Sequence, residues 1–211
     1  MIKAVLFDMD GVLIDAKEWH YEALNQALTL FGLEISRYDH LKTFDGLPTK
    51  EKLKLISAAT FFPKSLHTLV NKLKQKHTME MVHTRCYPMF HHQYALSSLK
   101  KAGYKVAVCS NSIRATIETM MSHAELSSYL DLIVSNEDVT YSKPDPEIYN
   151  FAINKFNLRP EECLVVEDNP KGIQAGRASG AHVMEVSSVY DVNIRNIMAK
   201  IDGCNKEAGG C

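Results

Sequence analysis

Residues 2 to 7 (Ile2, Lys3, Ala4, Val5, Leu6, Phe7) form an almost wholly apolar run that stops abruptly at Asp8 and Asp10, with Gly11 next. An apolar run without alternation is how a strand buried on both faces of a parallel sheet reads, and the glycine after it supplies a turn. The two carboxylates therefore belong at the C-terminal tip of a central strand. In open α/β sheets that edge is where ligands bind. Two acids so close repel unless a cation or a shared proton compensates, so the pair suggests a divalent metal or two carboxylates with pKa values driven apart. An Asp helix cap followed by a solvated turn acid reads the same residues without chemistry.

The rest of the chain extends this frame. Short β-branched runs at 104–109, 131–134, 162–166 and 182–186 are separated by helical stretches near 89–102, 112–124, 146–157 and 170–179. Gly103 and Gly180 stand where two of those helices need to stop. Strands joined by helical crossovers predict an α/β fold with a doubly wound, Rossmann-like parallel sheet. Between the first strand and Pro88 the pattern holds no strand. Trp19, Ala23, Leu24, Ala27, Leu28 and Phe31 form a helical stripe, and 49–59 and 64–84 read as two further helices. The expected organisation is a core of 1–14 and 86–202, an inserted all-helical cap of 15–85, and a frayed tail of 203–211, which lacks both periodicity and bulk.

Composition excludes several classes. The 211 residues carry 24 basic and 25 acidic side chains, so no nucleic-acid footprint or polybasic membrane surface is expected. No run has the length of a membrane span. A strand opening at residue 2 leaves no room for a leader before it, and the expected compartment is the cytoplasm. Five cysteines, widely spaced and without a CxxC pair, argue against zinc or a disulfide framework. Cys109 and Cys163 lie in apolar runs as small buried hydrophobes. His91-His92 lacks a partner at metal spacing and reads as a surface or packing pair, Trp19 as a buried anchor, and Met120-Met121 as filler.

Each later strand also ends in polar residues. Ser110-Asn111-Ser112 follows the second and opens a helix, a combination that suits an anion such as phosphate, or a plain serine cap. Lys143 lies in Ser142-Lys143-Pro144-Asp145-Pro146, held by prolines and placed to reach back over the sheet edge. Glu167-Asp168-Asn169 puts a second acid pair at a strand tip, and such oxygen ligands suit Mg²⁺.

In order and spacing these motifs, with Asp8-Met9-Asp10-Gly11-Val12-Leu13-Ile14-Asp15, resemble the haloacid dehalogenase superfamily. Within it the chain is similar to the capped β-phosphoglucomutase-like and phosphoglycolate phosphatase-like hydrolases. The resemblance implies that Asp8 is the nucleophile of an aspartyl-phosphate and that Asp10 is the acid and base for the leaving oxygen and the water. It implies Mg²⁺ bound by Asp8, the Asp10 carbonyl and the Glu167/Asp168 pair, with the direct ligand of that pair left open. Ser110 and Asn111 would bind the phosphoryl group, and Lys143 would balance its charge. Asp10 favours phosphate esters, because a halide leaving group needs no proton.

In the cap, His20 and the loop carrying Gly46, Thr49 and Lys50 match the family's substrate-reading elements. Thr49 stands where the related mutases carry a phosphate-gripping arginine, and Lys50 or Lys76 is the candidate replacement. The lysines at 50, 52, 54, 72, 74 and 76 otherwise read as a solvated helix face. At Tyr87-Pro88-Met89 relatives usually carry glycine after the proline, which bears on the hinge. The expected function is a Mg²⁺-dependent phosphatase of a small-molecule phosphate ester, a sugar or polyol phosphate, acting as a monomer or weak homodimer. The alternatives are a phosphosugar mutase and a catalytically silent binding protein, the latter disfavoured by the intact acid, serine and lysine set.

Overall fold

The computed structural model describes residues 1–209. In chain order the elements are β1 (Ala4–Phe7), α1 (Lys17–Thr29), α2 (Arg37–Asp39), α3 (Thr49–Thr60), α4 (His67–Arg85), α5 (Phe90–Lys101) and β2 (Lys105–Cys109). There follow α6 (Arg114–His123), β3 (Leu132–Val134), α7 (Glu147–Lys155), β4 (Cys163–Glu167), α8 (Pro170–Ala178), β5 (His182–Glu185) and α9 (Ile194–Gly209). They divide into two compact units: Met1–Asp15 with the chain from Cys86 onward, and Ala16–Arg85.

In the first unit all strand pairings are parallel and the order is β3-β2-β1-β4-β5, the expected doubly wound sheet. β1 is central and its four residues are fully buried, which is why its sequence does not alternate. Register sets the strand tips abreast: Phe7 pairs with Val108 on one side and Val166 on the other. The chain runs from β1 toward β3 and then returns to build β4 and β5, so β1 lies at the topological switch point, the place where open α/β sheets bind ligands at their C-terminal edge. Ala4, Leu6, Ala107, Cys109, Val165, Ile148, Tyr149 and Ala152 form part of the core between sheet and helices.

The C-terminal segment departs from the sequence reading. Residues 203–209 continue α9 in place of the expected frayed tail, while 210 and 211 lie outside the described residues. Ile197, Ile201 and Cys204 recur at helical spacing and are buried, with Cys204 acting as a small hydrophobe. Asn205 Oδ1 accepts from the Ile2 amide at 2.7 Å, tying the helix to the start of β1. Cys86, Cys109, Cys163 and Cys204 are buried.

His92 takes the packing role. It is 1% exposed and its Nε2 donates to the Val189 carbonyl at 2.8 Å. Burial pushes its pKa down from 6.5 to about 4, against the opposing pull of the Val189 bond. The folded protein therefore holds His92 neutral where the unfolded chain binds a proton, and stability is lost as pH falls from about 6.5 to about 4. The expected loss is about 3 kcal/mol. Urea unfolding of the wild type and His92→Gln across that range checks it: the wild type loses the larger amount, and parallel curves would contradict the assignment.

The second unit is helical among its described residues. α1 and α4 pack together, and Leu24, Ala27, Leu28, Leu53, Ile56 and Val70 form its core, with Phe31 edge-on to Phe62. Asn25 clamps the turn that follows, donating to the Ile35 carbonyl at 3.0 Å and accepting from its amide at 2.9 Å. The short helix α2, which the sequence reading passes over, is capped by Ser36 Oγ accepting from the Asp39 amide. No helix among the described residues is long and apolar enough to cross a membrane.

Candidate active site

Asp8 follows β1 directly, Ser110 follows β2, and Glu167 closes β4, so the parallel register delivers their side chains to one edge. The Asp8 amide extends the ladder to the Val166 carbonyl at 3.0 Å, and the Ser110 amide to that of Val134 at 3.0 Å. Beyond Asp8 the chain folds over the buried Met9, whose carbonyl accepts from the amides of Val12, Leu13 and Ile14 at 3.3, 2.9 and 2.9 Å. Gly11 makes that return with φ at +86°, a conformation that side chains with a Cβ disfavour. Asp10 is thereby held at the start of the turn, partly exposed.

Lys143 comes from the loop after β3. Its Nζ donates to Asp8 Oδ1 at 2.6 Å, Glu167 Oε1 at 2.7 Å and the Cys109 carbonyl at 2.9 Å, using all three ammonium hydrogens. The side chain is 5% exposed, and Nζ lies 4.8 Å from the centre of the Tyr149 ring. Burial opposes its charge, yet Asp8 and Glu167 overcome this and hold it protonated above the ordinary lysine range. The Lys143 amide donates to Asn111 Oδ1 at 3.3 Å, so Asn111 anchors the lysine loop.

Glu167 is almost fully enclosed. Besides Lys143, Tyr149 Oη donates to its Oε1 at 2.6 Å, and Oε2 faces the amides of Asp168 and Asn169 at 3.2 and 3.4 Å, at the start of α8. Ligand oxygens of Asp8, Glu167 and Asp168 all lie within 4.8 Å of one another. Burial drives the Asp8 carboxyl well above the usual range, reinforced by Glu167, Asp10 and Asp168 and opposed by Lys143. Asp8, Glu167 and Asp168 thus gather three carboxylates around the Lys143 ammonium. Such a hard oxygen set fits Mg²⁺.

The second strand tip differs in detail from the sequence reading. α6 opens only at Arg114, so Ser110-Asn111-Ser112 is a turn ahead of the helix, with Ser110 Oγ accepting from the Ser112 amide at 3.1 Å. The Arg114 amide, at the helix start, already donates to Glu137 Oε2 at 2.7 Å. The helix end thus meets an acid of this chain, and Ser110 and Asn111 stand nearer the sheet.

Residues 5–186 match the family described as haloacid dehalogenase-like hydrolase. The chain belongs to this family. Among curated relatives of this haloacid dehalogenase-like hydrolase is pyrophosphatase PpaX of Bacillus mycoides, 29% identical over 199 residues that cover 88% of this chain and 84% of that one. A phosphorylated carbohydrates phosphatase of Thermotoga maritima is 28% identical over 182 residues, covering 85% and 82%. The crystal structure of a β-phosphoglucomutase from Clostridium difficile shares the fold, with a TM-score of 0.82 at 22% identity, covering 96% of this chain and 98% of that one.

The other candidates lie in the helical unit. His20 Nδ1 meets Lys74 Nζ at 3.0 Å. Gly46 lies in the turn before α3, Thr49 is the first residue of α3, and Lys50 is exposed beside it. Lys76, whose side chain is 70% exposed, lies 3.9 Å from Glu80. The lysine row departs from a solvated face at Lys52, which is buried. Sequence reasoning passes over Tyr149 and Gly172, both against Glu167. The only hint is the position of Tyr149 three residues after Pro146, where its amide bonds the Pro146 carbonyl at 3.0 Å.

Proposed function

We propose that this hydrolase is a Mg²⁺-dependent phosphomonoesterase that moves the phosphoryl group of a small phosphate ester, a sugar or polyol phosphate, first to Asp8 and then to water. The observation that carries the reading is Lys143 buried between Asp8 and Glu167, with Asp168 completing a close group of three carboxylates at the same strand tips. The carbohydrate phosphatase among the relatives supports the substrate class.

A carboxylate oxygen of Asp8 attacks phosphorus, the ester P–O bond breaks, and Asp10 gives its proton to the departing alcohol oxygen. Asp10 then takes a proton from water, which attacks the phosphoryl group on Asp8 and releases phosphate with Asp8 restored. Lys143 stays charged throughout and stabilises both the Asp8 carboxylate and the transferring oxygens. Ser110 and Asn111 donate to the phosphoryl oxygens. Asp8, the Asp10 carbonyl and the Glu167/Asp168 pair would hold Mg²⁺. When bound, that ion would add positive charge beside these carboxylates and offset the charge of the phosphate.

Phosphate release from a panel of phosphorylated sugars, polyols, nucleotides and phosphoglycolate, with Mg²⁺ and with EDTA, tests this. Release that requires Mg²⁺ and is strongest on a sugar or polyol phosphate is expected. No release from any compound, or release indifferent to EDTA, would sink it. Isomerisation of β-glucose 1-phosphate with a bisphosphate activator, faster than hydrolysis, would instead identify a mutase despite Thr49 lacking a guanidinium.

A further inference from the structure

We propose that Tyr149 is a positioning residue for the acid group: with Gly172 it seats Glu167 on Lys143, making Glu167 the lysine's counter-charge and leaving Asp8 and Asp168 to the cation. The inference rests on the Mg²⁺-dependent reading above and goes further, because it divides the carboxylates by task and names what enforces the division.

Glu167 has donors on both oxygens. Lys143 Nζ at 2.7 Å and Tyr149 Oη at 2.6 Å share Oε1, while the amides of Asp168 and Asn169 at 3.2 and 3.4 Å face Oε2. A carboxylate offers about four lone-pair sites, so ligating a metal directly would mean giving up one of these bonds. Asp168, half-buried at the end of β4, belongs to the same close group of ligand oxygens.

Two elements fix Glu167 from different sides. From α7, the fully buried Tyr149 touches the network twice: its hydroxyl binds Glu167, and its ring face lies 4.8 Å from Lys143 Nζ, a favourable place for a cation. From α8, Gly172 leaves open the space the carboxylate fills. A Cβ there would overlap Oε1 and Cδ of Glu167. Relief by moving Glu167 would break its bonds to Lys143 and Tyr149. Without the hydroxyl, Glu167 Oε1 keeps Lys143 as its remaining side-chain donor and draws the ammonium away from Asp8.

Tyr149→Phe removes the hydroxyl and keeps the ring under Lys143. Calorimetric Mg²⁺ titration of the substrate-free protein should show binding weakened by up to about 10-fold, the low end of the scale for groups outside the direct ligands, because Tyr149 reaches the ligand Asp8 only through Glu167 and Lys143. With the preferred substrate, kcat should fall while KM stays near the wild-type value, because Ser110 and Asn111 are untouched. Gly172→Ala, which displaces the same carboxylate from the other side, should weaken Mg²⁺ binding at least as much. A tyrosine that merely satisfies its own buried hydroxyl would lower the melting temperature of Tyr149→Phe and leave Mg²⁺ affinity and kcat as they were. That result, in either folded variant, would overturn the proposal and leave the phosphatase reading standing. Absence of Mg²⁺ binding by the wild type would overturn both.

Discussion

Asp8→Asn should lose phosphate release by roughly 10⁴-fold or more, the scale seen when a covalent nucleophile is removed, and at the same time become more stable. The first effect follows from chemistry: an amide oxygen cannot form the acyl phosphate on which both halves of the reaction depend. The second follows from electrostatics. The folded protein holds the Asp8 carboxyl well above its ordinary pKa, through burial and the neighbouring Glu167, Asp10 and Asp168, against the pull of Lys143. A carboxyl raised on folding contributes fully to stability only below its unfolded pKa, and that contribution is lost as pH rises through the folded value. In EDTA, above the ordinary carboxylate range, Asp8 therefore costs stability, and a neutral isostere removes the cost. Thermal unfolding of both proteins in EDTA should give the higher midpoint to Asp8→Asn. A lower midpoint would show that Lys143 outweighs the three acids. Activity gained at the expense of stability is the usual signature of an active site.

Lys143→Met should act in the opposite direction on stability while also abolishing activity. The ammonium stands between Asp8 and Glu167 at 2.6 and 2.7 Å with 5% exposure, so its removal strands two buried carboxylates beside a third. Breaking a buried pair by deleting one partner costs about 3–5 kcal/mol. For a chain of this size each kcal/mol shifts the melting midpoint by about 2–4 °C, so a fall of roughly 10 °C is expected. Added Mg²⁺ should recover part of that deficit, since it supplies charge to the same carboxylates, while leaving the transfer step without its lysine. A variant as stable and as active as the wild type would mean that Lys143 is only a solvated loop residue.

Much of the site is legible in the sequence because parallel strands place their ends side by side. Asp8, Ser110 and Glu167 each follow an apolar run, and runs that pair in register bring their next residues together without further instruction. Lys143 can be read as reaching back because prolines flank its loop. What is not legible depends on packing between elements distant in the chain. Tyr149 reaches Glu167 across the α7–β4 connection, and nothing in the local pattern says which face of a short helix will meet a strand tip. Beyond residue 202 the continuation of α9 is hidden because Gly203 and Asn205 interrupt the stripe of Ile197, Ile201 and Cys204. Capping residues in Ser110-Asn111-Ser112 place the start of α6 too early, since Ile113 precedes the helix and Glu137 takes the Arg114 amide. Among the cap lysines, burial of Lys52 is a tertiary fact that spacing along α3 does not reveal.

Whether Asp8 carries the phosphoryl group is tested most directly by quenching the enzyme with acid during turnover of its best phosphate ester and locating any covalent phosphoryl group by peptide mass spectrometry. A phosphoryl group on Asp8 is expected, absent from Asp8→Asn and absent when Mg²⁺ is withheld. A phosphoryl group on another residue, or Asp8→Asn protein releasing phosphate at the wild-type rate, would contradict the covalent role of Asp8.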